Sequence, residues 1–291
     1  MASLSQYEIM SKKAIWLKER RTGIGGSDVP AILGISPYAS PYTVWADKLG
    51  LLPERDYTEA MRQGVDLEAY VSRRFCEETG LKAHRKNKII RNPAYPYSLA
   101  NIDRRIVGER AGLEIKTCSP FRLPDFKGDE YPPEFLAQCL HYLAVTGWER
   151  WYLAVLILGT DFKVYQIDRA DYKNDIEEIQ RQVYGFWTTY VIPRVAPPPD
   201  GTAVTGAAIT SIYNSAVEGS VDLSGMEQHF VEISILNEQQ KALEKEKERH
   251  KQNIKIAMGE NTRAECSCYV ANWRPRKDGT RVFTIMERRG A

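Results

Sequence analysis

The sequence predicts a mixed α/β layer fold with a charged C-terminal extension. Three observations carry that prediction: helical spacing up to residue 80, strand-like periodicity from 86 to 118, and a return to helix and strand in alternation up to about 192. The implied order is helices, a β-meander, a crossover helix, two strands and another helix.

Each element has its own signal. Residues 5–21 set Ile9, Ile15, Trp16 and Leu17 among charges at helical spacing. Gly23-Ile24-Gly25-Gly26-Ser27-Asp28 breaks the pattern, and Ser27 or Asp28 is placed to cap a short helix through Leu33 that Gly34 would end. A second short helix is expected over 42–49 and a longer one over 59–78, closed by Gly80. Residues 86–91, 97–107 and 112–118 read as strands, the last two joined by a tight turn at 108–112. A helix over 133–146 follows, with proline near its start. Strand 150–158 is nearly all apolar and therefore central; strand 162–168 comes next. Residues 171–192 return to helical spacing, with Ile176, Ile179, Val183, Phe186 and Trp187 on one side.

Pro197-Pro198-Pro199-Asp200-Gly201 punctuates the chain, so a main domain is expected over 1–200 and an extension over 201–291. The extension reads as a Gly/Ala/Ser/Thr-rich stretch, a charged helix over 228–258, and strands 264–273 and 281–288 joined by a basic turn.

Composition narrows the class. The 291 residues are 43% apolar and 27% charged, as in an ordinary globular protein with a sizeable core. A net charge of +2 does not by itself announce a nucleic-acid binder. The five cysteines are scattered, without zinc-like spacing, which points to reduced thiols in a cytoplasmic protein. No apolar stretch is long enough to span a bilayer and no secretory signal pattern opens the chain, so no membrane partner is expected.

The chemistry centres on Glu114-Ile115-Lys116. In a strand, Glu114 and Lys116 share one face while Leu113, Ile115 and Thr117 take the other. Asp103 lies on the preceding strand, across a short turn, in a register that sequence leaves open. Two carboxylates with the Ile115 carbonyl make an all-oxygen set suited to Mg²⁺, with Mn²⁺ able to substitute. Lys116 is placed to orient a water or to stabilise charge on phosphorus. An E-x-K pair on a solvated strand face is also common surface decoration.

Four ordered segments then carry a family resemblance. They are Trp16 through Asp28 with Ile32-Leu33-Gly34; Gly64-Val65-Asp66-Leu67-Glu68 with the helix end Glu78-Thr79-Gly80-Leu81; Asp103 with Leu113 through Thr117; and Gln138 through Gly147. Together they span about residues 14–200. The chain resembles phage-type exonucleases of the YqaJ/lambda-exonuclease family, within the PD-(D/E)xK nuclease superfamily.

The resemblance implies a restriction-endonuclease-like core, a central mixed β-sheet flanked by helices, followed by a C-terminal helix and β-hairpin. By the same resemblance Asp103 and Glu114 bind metal, Lys116 is the catalytic lysine, Glu68 supports the metal site, and Gln138 packs beside it with Tyr142 one turn away. Arg20 and Ser27 match residues that hold the 5′-phosphate of a DNA end, and Arg21 and Tyr142 are grouped with them as DNA- or phosphate-binding residues. The implied activity is a Mg²⁺-dependent 5′→3′ exonuclease on double-stranded DNA ends, a ring-shaped homotrimer working beside a single-strand annealing protein in phage recombination. A structure-selective or nicking endonuclease, and a non-catalytic DNA-end or partner-binding protein, are the alternatives. Many relatives carry Pro-Asp-Gly around the first carboxylate, whereas this chain has Ile102-Asp103-Arg104, so a different local turn is expected.

The residues offer a physical ground for end binding. Glycines 23, 25 and 26 let backbone amides approach an anion, the next helix presents its N-terminus, and Arg20 or Arg21 can add a bidentate contact. The same glycines also suit a plain tight turn. Lys82, Arg85, Lys86, Lys88, Arg91, Arg104 and Arg105 form a basic stripe near the hairpin. In the C-terminal strands Trp273 and Phe283 alternate with arginines, which fits either stacking on bases or the core of a small β-unit.

Overall fold

The computed structural model describes residues 14–53, 58–85 and 88–288. The chain forms two compact units, Met1–Ala216 and Val217–Ala291.

The first unit opens with a helix, α1 (residues 14–20); the expected start at residue 5 lies outside the described residues. After a 3₁₀ turn at Gly26–Asp28 come α2 (Val29–Ile32), α3 (Pro41–Lys48) and the long α4 (Glu59–Thr79). Gly80 ends α4 as expected, in the left-handed region at φ 73°, where its N–H reaches back to Cys76 O at 2.9 Å.

The strands are β1 (Ala83–Arg85), β2 (Ile90–Arg91), β3 (Leu99–Ala100), β4 (Arg104–Ile106), β5 (Ala111–Cys118), β6 (Arg150–Ile157) and β7 (Asp161–Asp168). Five of them make one mixed sheet in the order β1-β4-β5-β6-β7, with β5 and β6 parallel and the other pairs antiparallel. A parallel pair needs a crossover, and α5 (Pro133–Thr146) supplies it. Helix α6 (Lys173–Phe186) follows β7 and runs into a π-helical turn, Trp187–Val191, within the single helix expected there. Residues 86–87 of the first expected strand are outside the described residues, and of its remainder only Ile90–Arg91 form a strand, β2, paired with β3.

Both faces of the sheet are covered, which explains the near-continuous apolar run of β6. Val71 and Phe75 of α4 pack with Leu113, Ile115, Tyr152 and Ala154 on one face. The other face carries Trp151, Leu153 and Val155 against Leu140 and Leu143 of α5 and Ile179 of α6. Each fully buried side chain of this size contributes about 2 kcal/mol from removal of apolar area from water.

Two expectations change. The strand foreseen over 97–107 is interrupted at Asn101–Asp103, so that β3 pairs with β2 while β4 joins the main sheet. The boundary foreseen at residue 200 moves one helix further on. Helix α7 (Ala203–Ile212) belongs to the first unit, where Thr205 Oγ1 donates to Ser40 Oγ at 2.7 Å at the cap of α3. Its small residues give a weak amphipathic pattern that carries little helical periodicity.

The second unit holds α8 (Glu227–Met258) and a three-stranded antiparallel sheet, β8 (Arg263–Glu265), β9 (Tyr269–Pro275) and β10 (Arg281–Glu287). The Arg281 guanidinium lies 3.7 Å from the Trp273 ring centroid, and Arg281 donates to the carbonyls of Gly259 and Asn261. One face of Trp273 is thereby taken up within the unit. No described helix is long and apolar enough to cross a membrane.

Candidate active site

The break before β4 creates the site. Where a continuous strand would offer a backbone carbonyl, the Asp103 side chain takes its place: Ile115 N–H donates to Asp103 Oδ2 at 2.8 Å. This bond sets the register between the first carboxylate and β5, which sequence had left open.

On β5, Glu114 and Lys116 face α5, as alternation requires. Gln138 of α5 donates from Nε2 to Glu114 Oε1 at 2.6 Å and to the Tyr142 hydroxyl at 2.9 Å. Lys116 Nζ donates to Gln138 Oε1 at 2.8 Å and pairs with Glu114 Oε1 at 2.7 Å. Glu114 and Gln138 are buried, at 3% and 6% exposure.

The electrostatics are unbalanced. Burial, then the neighbouring Glu114 charge, pushes the Asp103 carboxyl well above its usual range. Burial also raises Glu114, with Lys116 and Gln138 opposing. Lys116 is half-buried, and Glu114 outweighs its desolvation and raises its pKa, keeping it an ammonium. Glu114 Oε2 is buried with no hydrogen-bond partner. An orphaned carboxylate oxygen beside a second electron-rich carboxylate is the setting a hard divalent cation relieves, and the oxygen donor set fits one.

Glu68, expected to support a metal site, borders the acidic centre from α4 and is paired with Arg104. Arg104 of β4 pairs opposite Leu113, so its side chain lies on the α4 face of the sheet. There Arg104 Nη1 donates to Glu68 Oε1 on α4 and also to the Asp103 carbonyl. Glu68 still exerts a like-charge effect on Asp103 and Glu114, but its carboxylate is engaged by Arg104. Among the described residues no three acidic, histidine or cysteine side chains converge on one point.

The N-terminal turn borders the same centre. Ile24 N donates to Tyr97 O at 2.6 Å and Leu99 N donates to Ile24 O at 2.8 Å, which fastens the turn beside β3. A cavity of about 210 Å³ is lined here by Arg20, Ser27, Asn101, Asp103, Glu114 and Tyr142, among others. A second, of about 790 Å³, lies against Arg20, Ser27, Lys116 and Gln138 with Trp16 and Phe135. Arg20, Ser27, Trp16 and Gln138 are shared walls of both.

Arg20 and Ser27 are brought together, with Arg20 Nη2 donating to Ser27 Oγ at 3.2 Å. Arg21 pairs with Asp47, Nε to Oδ1 at 3.7 Å, and both line the larger cavity. Tyr142 is 4% exposed and forms part of the cavity wall, its hydroxyl bonded to Gln138, so it belongs to the support of the acidic centre rather than to an open DNA face. The helix expected after Ser27 has only four residues, too short to lend a substantial dipole. Gly26 is required for packing: a Cβ there would lie 2.5 Å from the Tyr142 ring. In the basic stripe, Arg91 donates to Thr22 Oγ1 and Pro96 O. Arg91 and Arg104 therefore serve the fold, while Arg105 stays exposed.

Two further residues, Asp28 and Lys48, belong to the site. The cap expected of Ser27 or Asp28 does not form, for Asp28 makes no side-chain bond to the helix it precedes; its Oδ2 accepts instead from Gly25 N at 2.8 Å. Asp28 also accepts from Lys48 Nζ at 2.6 Å and from Arg20 Nη2 at 3.0 Å. A signal for Lys48 existed: it follows Val44 and Trp45 at helical spacing, on the inner side of α3.

The pattern of the YqaJ-like viral recombinase domain matches residues 15–149. The uncharacterized protein YqaJ of Bacillus subtilis (strain 168) is 35% identical over 265 residues, spanning 89% of this chain and 82% of that protein. Among solved structures, the alkaline exonuclease LHK-Exo from Laribacter hongkongensis superimposes with a TM-score of 0.52 at 20% identity, over 62% of this chain and 94% of its own. LHK-Exo in complex with dAMP gives a TM-score of 0.53 at 20% identity and the same coverage. The fold is thus the one seen in LHK-Exo, a central mixed sheet between helices.

Proposed function

This chain belongs to the YqaJ-like viral recombinase family, and from that premise we propose that it is a Mg²⁺-dependent deoxyribonuclease, a 5′→3′ exonuclease that resects linear double-stranded DNA for phage-type recombination. Family membership and the exonuclease fold support the coarser nuclease role. The observation that carries the reading is that Asp103, Glu114 and Gln138 line one cavity, with Lys116 bonded to Gln138 and Glu114 behind it and a buried Glu114 oxygen left unpartnered.

Asp103 and Glu114 would hold the cation, with the Ile115 carbonyl the third oxygen expected of β5. The ion, when bound, supplies Lewis-acid polarisation of the phosphate. Lys116 carries a fixed positive charge to the wall of the larger cavity, where it can stabilise the charge that grows on the phosphoryl oxygens. Gln138 keeps Lys116 and Glu114 in register by bonding both. Arg20 and Ser27 would receive the terminal 5′-phosphate at the shared wall of the two cavities. The homotrimer and the single-strand annealing partner are part of the same proposal and come from family resemblance.

The test is digestion of linear and closed circular duplex DNA with Mg²⁺ by the native protein and by Lys116→Ala, with linear substrates carrying or lacking a 5′-phosphate. Stepwise loss of linear DNA alone, absent in the variant, is the expected result. Cleavage of the closed circle would make the protein an endonuclease. Tight end binding without cleavage by the native protein would leave a non-catalytic end-binding protein.

A further inference from the structure

We propose that the buried Lys48–Asp28 ion pair is a positioning device that frees the Arg20 guanidinium for a DNA 5′-phosphate, so that Lys48 sets end specificity without touching DNA. This rests on the end-binding role proposed above for Arg20 and Ser27.

Asp28 is the hub. It is 5% exposed and accepts from Lys48 Nζ at 2.6 Å, Gly25 N at 2.8 Å and Arg20 Nη2 at 3.0 Å. Burial pushes its carboxyl up, but Lys48 and Arg20 outweigh burial and hold it below the usual carboxylate range, so it is an anion. One carboxylate therefore faces two cations, and the cluster keeps one net positive charge.

That surplus has only one outlet. The Lys48 side chain is 0% exposed, and it lines neither cavity. Its counter-ion is Asp28, which meets it at the shorter of the carboxylate's two charged contacts. Arg20, with its side chain 33% exposed, borders both cavities. Its bonds to Asp28 and Ser27 both use Nη2, one edge of a planar five-donor fork. Lys48 thus neutralises the carboxylate that orients Arg20, and the guanidinium is held in place with its charge still available to an anion. Without Lys48, Asp28 would claim Arg20 as its sole counter-ion.

The experiment compares native protein, Lys48→Met, Lys48→Met/Asp28→Asn and Arg20→Ala on duplexes with a 5′-phosphate or a 5′-hydroxyl. KM and kcat are measured with Mg²⁺, equilibrium binding without it, and folding is followed by thermal melting. Lys48→Met should reduce the preference for phosphorylated ends about tenfold, in KM and binding rather than kcat, which is one charge-assisted contact. The double variant, with no carboxylate left to neutralise, should recover most of that preference, a rescue that general destabilisation would not produce. Equal losses on both ends, or a folded double variant without the preference, would overturn the proposal. If Lys48→Met does not fold, the double variant alone decides it on the same criterion. A native protein indifferent to the end group would overturn the end-binding role and this inference together, whereas the Lys116→Ala comparison tests the nuclease reading independently.

Discussion

Gln138 bonds Glu114 through its amide nitrogen at 2.6 Å, while its amide oxygen accepts from Lys116. One side chain on α5 thereby orients both members of the E-x-K pair on β5. Glutamine is suited to this because its amide offers a donor and an acceptor at once.

Gln138→Leu should therefore lower the cleavage rate by about 10- to 100-fold, the usual effect of removing a group that orients a metal-site residue. Gln138→Glu should be at least as damaging, because it adds a third carboxylate near Glu114 and Asp103. Rates on linear duplex DNA, set beside melting temperatures, check both variants.

Asp103→Asn should stabilise the metal-free protein while abolishing cleavage. Folding raises the Asp103 pKa through burial and the Glu114 charge. A raised carboxyl contributes stability below its unfolded pKa and loses it as pH rises through the folded value, so the ionised form is disfavoured at neutral pH. Removing the charge should raise the metal-free Tm by a few degrees, about 1 kcal/mol for a unit of this size. Added Mg²⁺ should raise the Tm of the native protein more than that of the variant, and scanning calorimetry with and without the ion measures both.

Arg104→Leu should destabilise the first unit by about 3 kcal/mol, since it leaves Glu68 unpaired at the α4–sheet contact. Arg104→Leu with Glu68→Gln should recover part of the loss, because no lone charge then remains. Urea unfolding of the single and double variants gives the comparison; additive losses would mean the pair is not coupled.

His141 should make the protein sensitive to mild acid. It is fully buried, its Nε2 lies 3.0 Å from Leu99 O, and burial lowers its pKa to about 4. A lowered pKa means the contribution is present above the unfolded value, about 6.5, and is lost as pH falls toward 4. His141→Gln should flatten the decline of stability with pH across that window, as followed by denaturant midpoints from pH 7 to pH 4.

The local rules were legible wherever a side chain acts through its own element. Alternation along β5 placed Glu114 and Lys116 together, Gly80 ended α4, and the proline-led helix over 133–146 appeared with those bounds. Helix α7 was missed because Ala, Gly, Ser and Thr give little amphipathic contrast, although its Thr202 cap is an ordinary one. The periodicity over 97–107 predicts one continuous strand and hides the break that frees Asp103.

By itself the sequence determined the element order, the sheet face of the E-x-K pair and, through four ordered segments, the family. Those are properties of spacing along one chain, written in periods of 2 and 3.6 residues. Tertiary structure alone decided that Asp103 takes a strand position with its side chain, that Arg104 pairs with Glu68 on α4, and that Lys48 meets Asp28. Each joins residues distant in sequence through burial. Once water is excluded, a charge must find its partner wherever the fold has brought one, and no local pattern records which partner that is.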